Sequence, residues 1–506
     1  EGKIGGEWLR LTFDPATYEP YQESAHHEVG GVGPFWERAG VDTVLFDVPR
    51  ATCGGPGVQI TSWGGHAPLY PRSSNPTGLL DEIDRTFGPH PAYGNDYGTG
   101  WHDESRLETL TRALEVGARR RGAIACHLQD RFPWELFVTV MSETHSLSEF
   151  AWHGIDAEHP LAAERGARAA EFMRRMYRAV DDAVGAMAAA APSDTSVLVF
   201  SLDAIKSSHG DLPSIVLLPE LLHRAHFGSP LLRDPDQAAW RAAGCPPLVA
   251  RAGRPWRPDL DERLVEPLVP GGLRGRLHKI PGYDALRQSR MANGAIARLR
   301  HVHNGALGLP IPREYRGTAA DAEMFRESTA RMLFLGHYQS YWSRMPAFVL
   351  PSFGDGYVRV NLVGRERDGI VAPGDYARVL SEVERTVRAV HNPRTGRPVV
   401  YDIERVDDDP FEVDRYADLI IRWAEPIDAF EHPEVGTIGP FPLHRTGTHS
   451  DGGFLWMTGE GIAPGDRGEG SVLDLPPTVL ALLGRRPPQP LSGRALVTPS
   501  GEPQPV

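Results

Sequence analysis

Three short segments of this chain hold histidine and carboxylate at spacings that suit metal binding or acid–base work. The first runs Ser142-Glu143-Thr144-His145-Ser146-Leu147-Ser148-Glu149, with His145 and Glu149 four residues apart. On a helical turn that spacing brings both side chains to one side, and imidazole with carboxylate is an ordinary zinc ligand pair. The second is Ser201-Leu202-Asp203, followed by Ser208-His209-Gly210. The third is Thr446-Gly447-Thr448-His449-Ser450-Asp451-Gly452. The residues that could carry chemistry are therefore His145, Glu149, Asp203, His209 and His449. All but His449 have a plain alternative. His145 and Glu149 also read as a surface pair or a buried hydrogen-bonded pair. Asp203 also reads as a helix N-cap or turn residue, and Ser-Ser-His-Gly-Asp as an ordinary turn around His209. His449, between small polar residues beside a strand, is badly placed for core packing. Glu143, His153, Asp47 and the loop pair His26-His27 are further candidates, with solvated or structural roles as the default.

Each of the three segments abuts an apolar run. Residues 41–48, 135–142 and 196–202 read as strands, and residues 104–121, 161–190 and 212–225 as helices. This alternation predicts an α/β fold with a mostly parallel central sheet and helices on both faces. Ligands then sit outside the carboxyl ends of the strands, where the three segments fall. Residues 227–278 are rich in Pro, Arg and Trp with weak periodicity and read as an insertion or cap. A hairpin is predicted over residues 346–363, turning at Gly354-Asp355-Gly356. Beyond it come a helix at 376–390, strands at 398–403, 418–423 and 452–458, and a last helix at 474–483. The expected division is a first part of the core at 1–226, an inserted cap or helical region at 227–345, a second part of the core at 346–497, and a loose tail at 498–506.

Composition narrows the function. The net charge is −13, which disfavours bulk nucleic-acid binding but leaves a small anionic substrate possible at a local cationic or metal site. Three scattered cysteines, Cys53, Cys126 and Cys245, give neither a zinc ribbon nor a disulfide framework and suit a reducing cytoplasm. No run of about 18 apolar residues spans a membrane, and the first ten residues lack a signal-peptide pattern. The wealth of Pro, Gly, Arg and Ala suggests a GC-rich bacterial source. No P-loop, dinucleotide-binding glycine pattern, H-E-x-x-H or G-x-S-x-G elbow is present.

Taken together, the three segments resemble the alkaline phosphatase superfamily, nearest its type I phosphodiesterase and nucleotide pyrophosphatase branch. The resemblance covers roughly residues 30–495 and is carried also by Phe35-Trp36-Glu37, by Val48-Pro49, by residues 357–369 (YVRVNLVGRERDG, like the family's R-x-N-x-x-G-R-E) and by residues 472–484 (VLDLPPTVLALLG, like its closing D-x-x-P-T helix). The family pattern is D-x-x-x-H after one strand, D-H-G after the next and G-x-H near the C-terminus, binding two metals. Here the first pair is exchanged to His145-x-x-x-Glu149, and D-H-G becomes Leu202-Asp203-Ala204, which loses one ligand. His449 stands where the pattern puts it. The opening strand with its metal-binding Asp and Thr or Ser nucleophile is not found, so the nucleophile is unknown. That segment is expected either to lie outside these 506 residues or to be dispensed with.

The resemblance implies a metal-dependent hydrolase of phosphate esters, with zinc or manganese, one or two per chain. It places His145, Glu149 and His449 in a three-ligand site open to water or substrate, with Asp203 and His209 at a second, weaker site. Arg359 and Arg365 are candidate clamps for an anionic group. Two other readings stay open: a superfamily member turned to a biosynthetic group transfer, and a non-catalytic binding relative. Phosphate and sulfate esters are not separable from sequence, and the oligomeric state is unknown.

Overall fold

In the computed structural model the described residues are 9–24, 33–48, 57–64, 72–93, 101–252, 256–266, 327–328, 334–352, 354–406, 409–412, 415–460, 462–466, 468–486 and 491–497. The expected loop pair His26-His27 and much of the expected cap lie outside them.

One four-stranded sheet has the order Ser73–Asn75, Val58–Thr61, Thr43–Phe46, Leu136–Thr139. Thr43–Phe46 runs parallel to both Val58–Thr61 and Leu136–Thr139, and Ser73–Asn75 adds on antiparallel. The apolar run Val44-Leu45-Phe46 is fully buried, as a strand covered on both faces requires. Two long helices, Glu104–Arg131 and Ala162–Ala190, lie side by side in parallel. Arg168 meets Glu104 and Glu108, and Arg175 meets Glu108 and Glu115. Gly122 faces Ala183 so closely that a Cβ there would stand 3.0 Å from the alanine methyl. The first helix outruns its expected end at residue 121 because Ile124, Ala125 and Leu128 continue its buried stripe.

The second half of the chain builds differently. Ala347–Leu350, Gly356–Val360, Leu419–Trp423 and Val400–Arg405 form a sheet with antiparallel pairing throughout. The predicted hairpin at Gly354 is present, with that glycine at φ 101°, a backbone region that suits glycine. The helix Tyr376–Arg388 packs its Val379, Leu380, Val383 and Val387 into the largest core. Two antiparallel pairs complete the frame, Val197–Ser201 with Phe454–Thr458 and Ala204–Ser207 with Gly447–Ser450.

The fold is thus mixed α/β, but no large central parallel sheet is evident among the described residues. The expectation of one rested on strand–helix alternation, which gives parallel pairing only when each strand returns to the same sheet. Here Ala347–Leu350 and Gly356–Val360 are joined by a tight turn, which forces antiparallel pairing, and Val197–Ser201 and Ala204–Ser207 take distant partners that run the opposite way. The predicted helix at 212–225 opens as a π-turn, Pro213–Leu217, before the α-helix Leu218–Phe227. Such a turn accommodates Pro219, which lacks the N–H an unbroken α-helix would use. From the expected cap, Trp256 docks on the core by donating its indole N–H to the Pro442 carbonyl at 2.7 Å. No described helix is long and apolar enough to cross a membrane.

A charged knot ties the first sheet to the helices. Arg121 is fully buried and donates to Asp47 at 2.8 Å, to Glu143 at 3.0 Å and to Ser142 at 3.2 Å. Asp47, at φ 56° on the end of Thr43–Phe46, also accepts the Trp63 and Gly64 N–H groups. His90 adds its Nε2 to Glu143 at 3.2 Å. Burial alone would raise the Glu143 carboxyl, but Arg121 and then His90 outweigh it and hold it below the usual carboxylate range. Replacing Arg121 by Met would leave two buried carboxylates facing each other. The expected loss is about 3–5 kcal/mol, read as a lower urea midpoint at unchanged slope.

Candidate metal centre

The helix Glu143–Ala151 begins just past the Leu136–Thr139 strand. Its first turn is pinned by the knot: Glu143 holds Arg121 and His90, and the Ser142 hydroxyl donates to the Gly64 carbonyl at 3.1 Å. His145 and Glu149 therefore project from a fixed helix on one face, His145 Nε2 standing 4.0 Å from Glu149 Oε1. His449 arrives from the Gly447–Ser450 strand, where it pairs in register with Ile205. Gly447 is demanded by that approach, since a Cβ there would lie 2.4 Å from the Ser148 carbonyl oxygen. The Thr446 N–H donates to the Glu149 carbonyl at 2.9 Å and locks strand to helix.

The two imidazoles meet with Nε2 to Nε2 at 2.9 Å. Among the described residues, His145, Glu149 and His449 are the one group of three such side chains whose donor atoms lie within 4.8 Å of one another. Tetrahedral zinc with bonds of about 2.0–2.1 Å puts its ligand nitrogens about 3.3 Å apart, so small side-chain shifts would admit an ion. Glu149 is 2 % exposed, His145 23 % and His449 51 %, so the group opens to solvent on the His449 side.

Asp203 comes to the centre in another role. Its Oδ2 lies 2.5 Å from His449 Nδ1, the nitrogen away from His145. A hydrogen bond from Nδ1–H leaves the Nε2 lone pair facing the group, the usual arrangement behind a ligating histidine. The bond from His449 holds the Asp203 carboxyl below its ordinary range, and the bond to Asp203 raises the imidazole, both against or despite partial burial.

His209 does not join the group. It lies in the turn after Ala204–Ser207, and its imidazole is lowered by burial and then by Lys206. Arg359 and Arg365 are not open clamps. Arg359 is 1 % exposed and donates to Glu366 at 2.7 Å and to the Arg415 and Tyr416 carbonyls. Arg365 binds Asp418 through two nitrogens, each at 2.8 Å, as well as Glu366. Their donors are spent on the fold because the R-x-N-x-x-G-R-E residues bind one another across a turn at Gly364. Glu143 and Asp47 are likewise spent on Arg121. His153, lowered to about 4 by burial first, holds Thr446 Oγ1 at 3.2 Å.

Two arginines escaped sequence reading. Arg121 sits in an Arg-Arg-Arg run, yet its phase with Leu114, Ala118, Ala125 and Leu128 marks it as inward-facing. Arg445, which reaches Glu149 Oε1 at 2.5 Å, carries no such periodic signal. No protein-family model, curated protein or solved structure matches the chain.

The Asp203–His449 pair sets a pH window. His449 is raised in the fold, so its contribution is full below about pH 6.5 and fades as pH rises through the raised value. Asp203 is lowered, so its share is full above about pH 3.9 and fades as pH falls through the depressed value. In metal-free protein the melting-temperature gap between wild type and Asp203→Asn is expected to be widest between about pH 4 and 6.5 and to narrow as pH rises through the raised His449 value.

Proposed function

We propose that this chain is a metal-dependent hydrolase of phosphate esters, built on a single centre of His145, Glu149 and His449. The observation that carries the reading is the convergence of these three donors at an open edge. Three protein ligands with a vacant position are the ordinary composition of a catalytic zinc site. The same ion count follows from Leu202, which is exposed, cannot ligate, and stands where the family pattern would put a ligand. The motif-level resemblance to the phosphodiesterase and nucleotide pyrophosphatase branch of the alkaline phosphatase superfamily supports a phosphate ester as substrate. Zinc fits the two nitrogens and one carboxylate oxygen, and manganese is the other candidate.

A bound ion would supply Lewis acidity toward an ester oxygen and an activated water. The chain's own residues do the rest. Asp203 keeps His449 in the tautomer that presents Nε2. Buried Glu149 brings the negative charge that a pair of neutral imidazoles lacks. The exposed flank of His449 leaves room for an anionic group to approach.

The Nε2 to Nε2 distance of 2.9 Å favours one other reading. It equals an N–H···N hydrogen bond, and Asp203–His449–His145 then forms a metal-free proton relay. Metal content separates the two. Purified protein is expected to carry about one zinc or manganese per chain, to lose it in His145→Ala/His449→Ala, and to cleave a chromogenic phosphodiester only when loaded. Metal-free protein that refuses added zinc, or cleavage that survives chelation, would remove the metal reading and favour the relay.

A further inference from the structure

Glu149 is the least exposed of the three candidate ligands, and a carboxylate so deeply buried needs a counter-charge and a fixed orientation. Two imidazoles that present lone pairs to an ion provide neither. Arg445 provides both. Its Nη1 donates to Glu149 Oε1 at 2.5 Å, while its Nε and Nη2 donate to Asp211 Oδ2 and Oδ1 at 2.5 and 3.0 Å. A guanidinium is planar, so the two-point grip of Asp211 fixes the direction of the remaining Nη1. Asp211 is itself steadied. His444 Nε2 lies 3.5 Å from its Oδ2, and the His444 ring stacks on Trp256 with centroids 4.2 Å apart. All of these side chains are buried or nearly so.

The chain segment matters as much as the side chain. Arg445 holds the head of Glu149, Thr446 N–H holds its backbone carbonyl, and Gly447 lets the segment lie against the helix. Two residues later the same segment delivers His449 to His145. One strap therefore brings a ligand and aims another.

We propose that Arg445, gripped by Asp211, is a positioning residue of the metal centre that aims the Glu149 carboxylate at the His145 and His449 nitrogens and so makes the site a three-ligand one. This rests on the metal reading above. Without Arg445 the site reduces to two histidines, and supporting partners of metal ligands are typically worth about 10–100-fold in affinity. The charge of Arg445 alone would act the other way, because a cation beside the site repels a divalent ion. The sign of the effect therefore separates aiming from charge.

The test uses the full chain with zinc alone, titrated against a chromophoric chelator, and with cobalt(II), whose visible bands report coordination. Circular dichroism controls for folding. Arg445→Met is expected to bind zinc about 10–100-fold more weakly, with altered cobalt bands. Arg445→Lys, which keeps the charge and loses the fork, is expected to recover only part of the loss. Asp211→Asn leaves the guanidinium in place with a weaker grip. It is expected to shift the cobalt bands in the same sense, and it serves as the decisive variant if Arg445→Met does not fold. Equal or tighter zinc binding with unchanged bands in folded variants overturns the positioning role while leaving the metal centre standing. A wild-type chain that binds no zinc overturns the metal reading, and this proposal with it.

Discussion

The centre depends on a backbone-to-backbone contact. The segment before Gly447–Ser450 lies so close to the helix Glu143–Ala151 that only glycine fits at position 447, and the Thr446 N–H closes on the Glu149 carbonyl. Residues 304 positions apart, His145 and His449, are brought within 2.9 Å by that contact. Side chains on a helix and on a strand seldom share an ion unless the two elements are locked together. Here the lock is made of groups that every residue carries, with one small residue to permit it.

Charge then orders what the contact brings together. At the start of the helix, Arg121 sits between Asp47 and Glu143, and at its end Arg445 sits between Glu149 and Asp211. Each buried guanidinium is held by two carboxylates, so neither end of the helix turns freely. Burying ion pairs gains little net stability over apolar packing, but breaking one costs several kcal/mol, roughly 3–5. The two clusters thus act as a registry that disfavours other placements of His145 and Glu149.

Many of the elements were legible in the sequence, and the failures have physical causes. The strand at Val197–Ser201 and the helix at Ala162–Ala190 follow from periodicity, a local property. Sheet topology is not local, and the antiparallel partner of Val197–Ser201 lies some 250 residues away at Phe454–Thr458. His145 and Glu149 were legible because helical spacing alone puts them together. His449 was legible from its setting among small polar residues. Asp203 was found as a candidate ligand, but its place behind His449 depends on the register of Ala204–Ser207 against Gly447–Ser450, which no spacing reveals. Arg359 and Arg365 show the reverse error. The capacity of guanidinium for a two-point grip suggested anion binding, while the structure spends their donors on Glu366, Asp418 and backbone carbonyls. A motif of charged residues that satisfy one another looks, in sequence, like one that waits for a ligand.

The most direct test of the three-ligand centre is X-ray absorption at the zinc edge on zinc-loaded protein. The account predicts two imidazole nitrogens and one carboxylate oxygen at about 2.0–2.2 Å, with the remaining position filled by a light atom. One imidazole should vanish from the pattern in His449→Ala. A wild-type spectrum without imidazole scattering, or one unchanged by that substitution, would contradict the account.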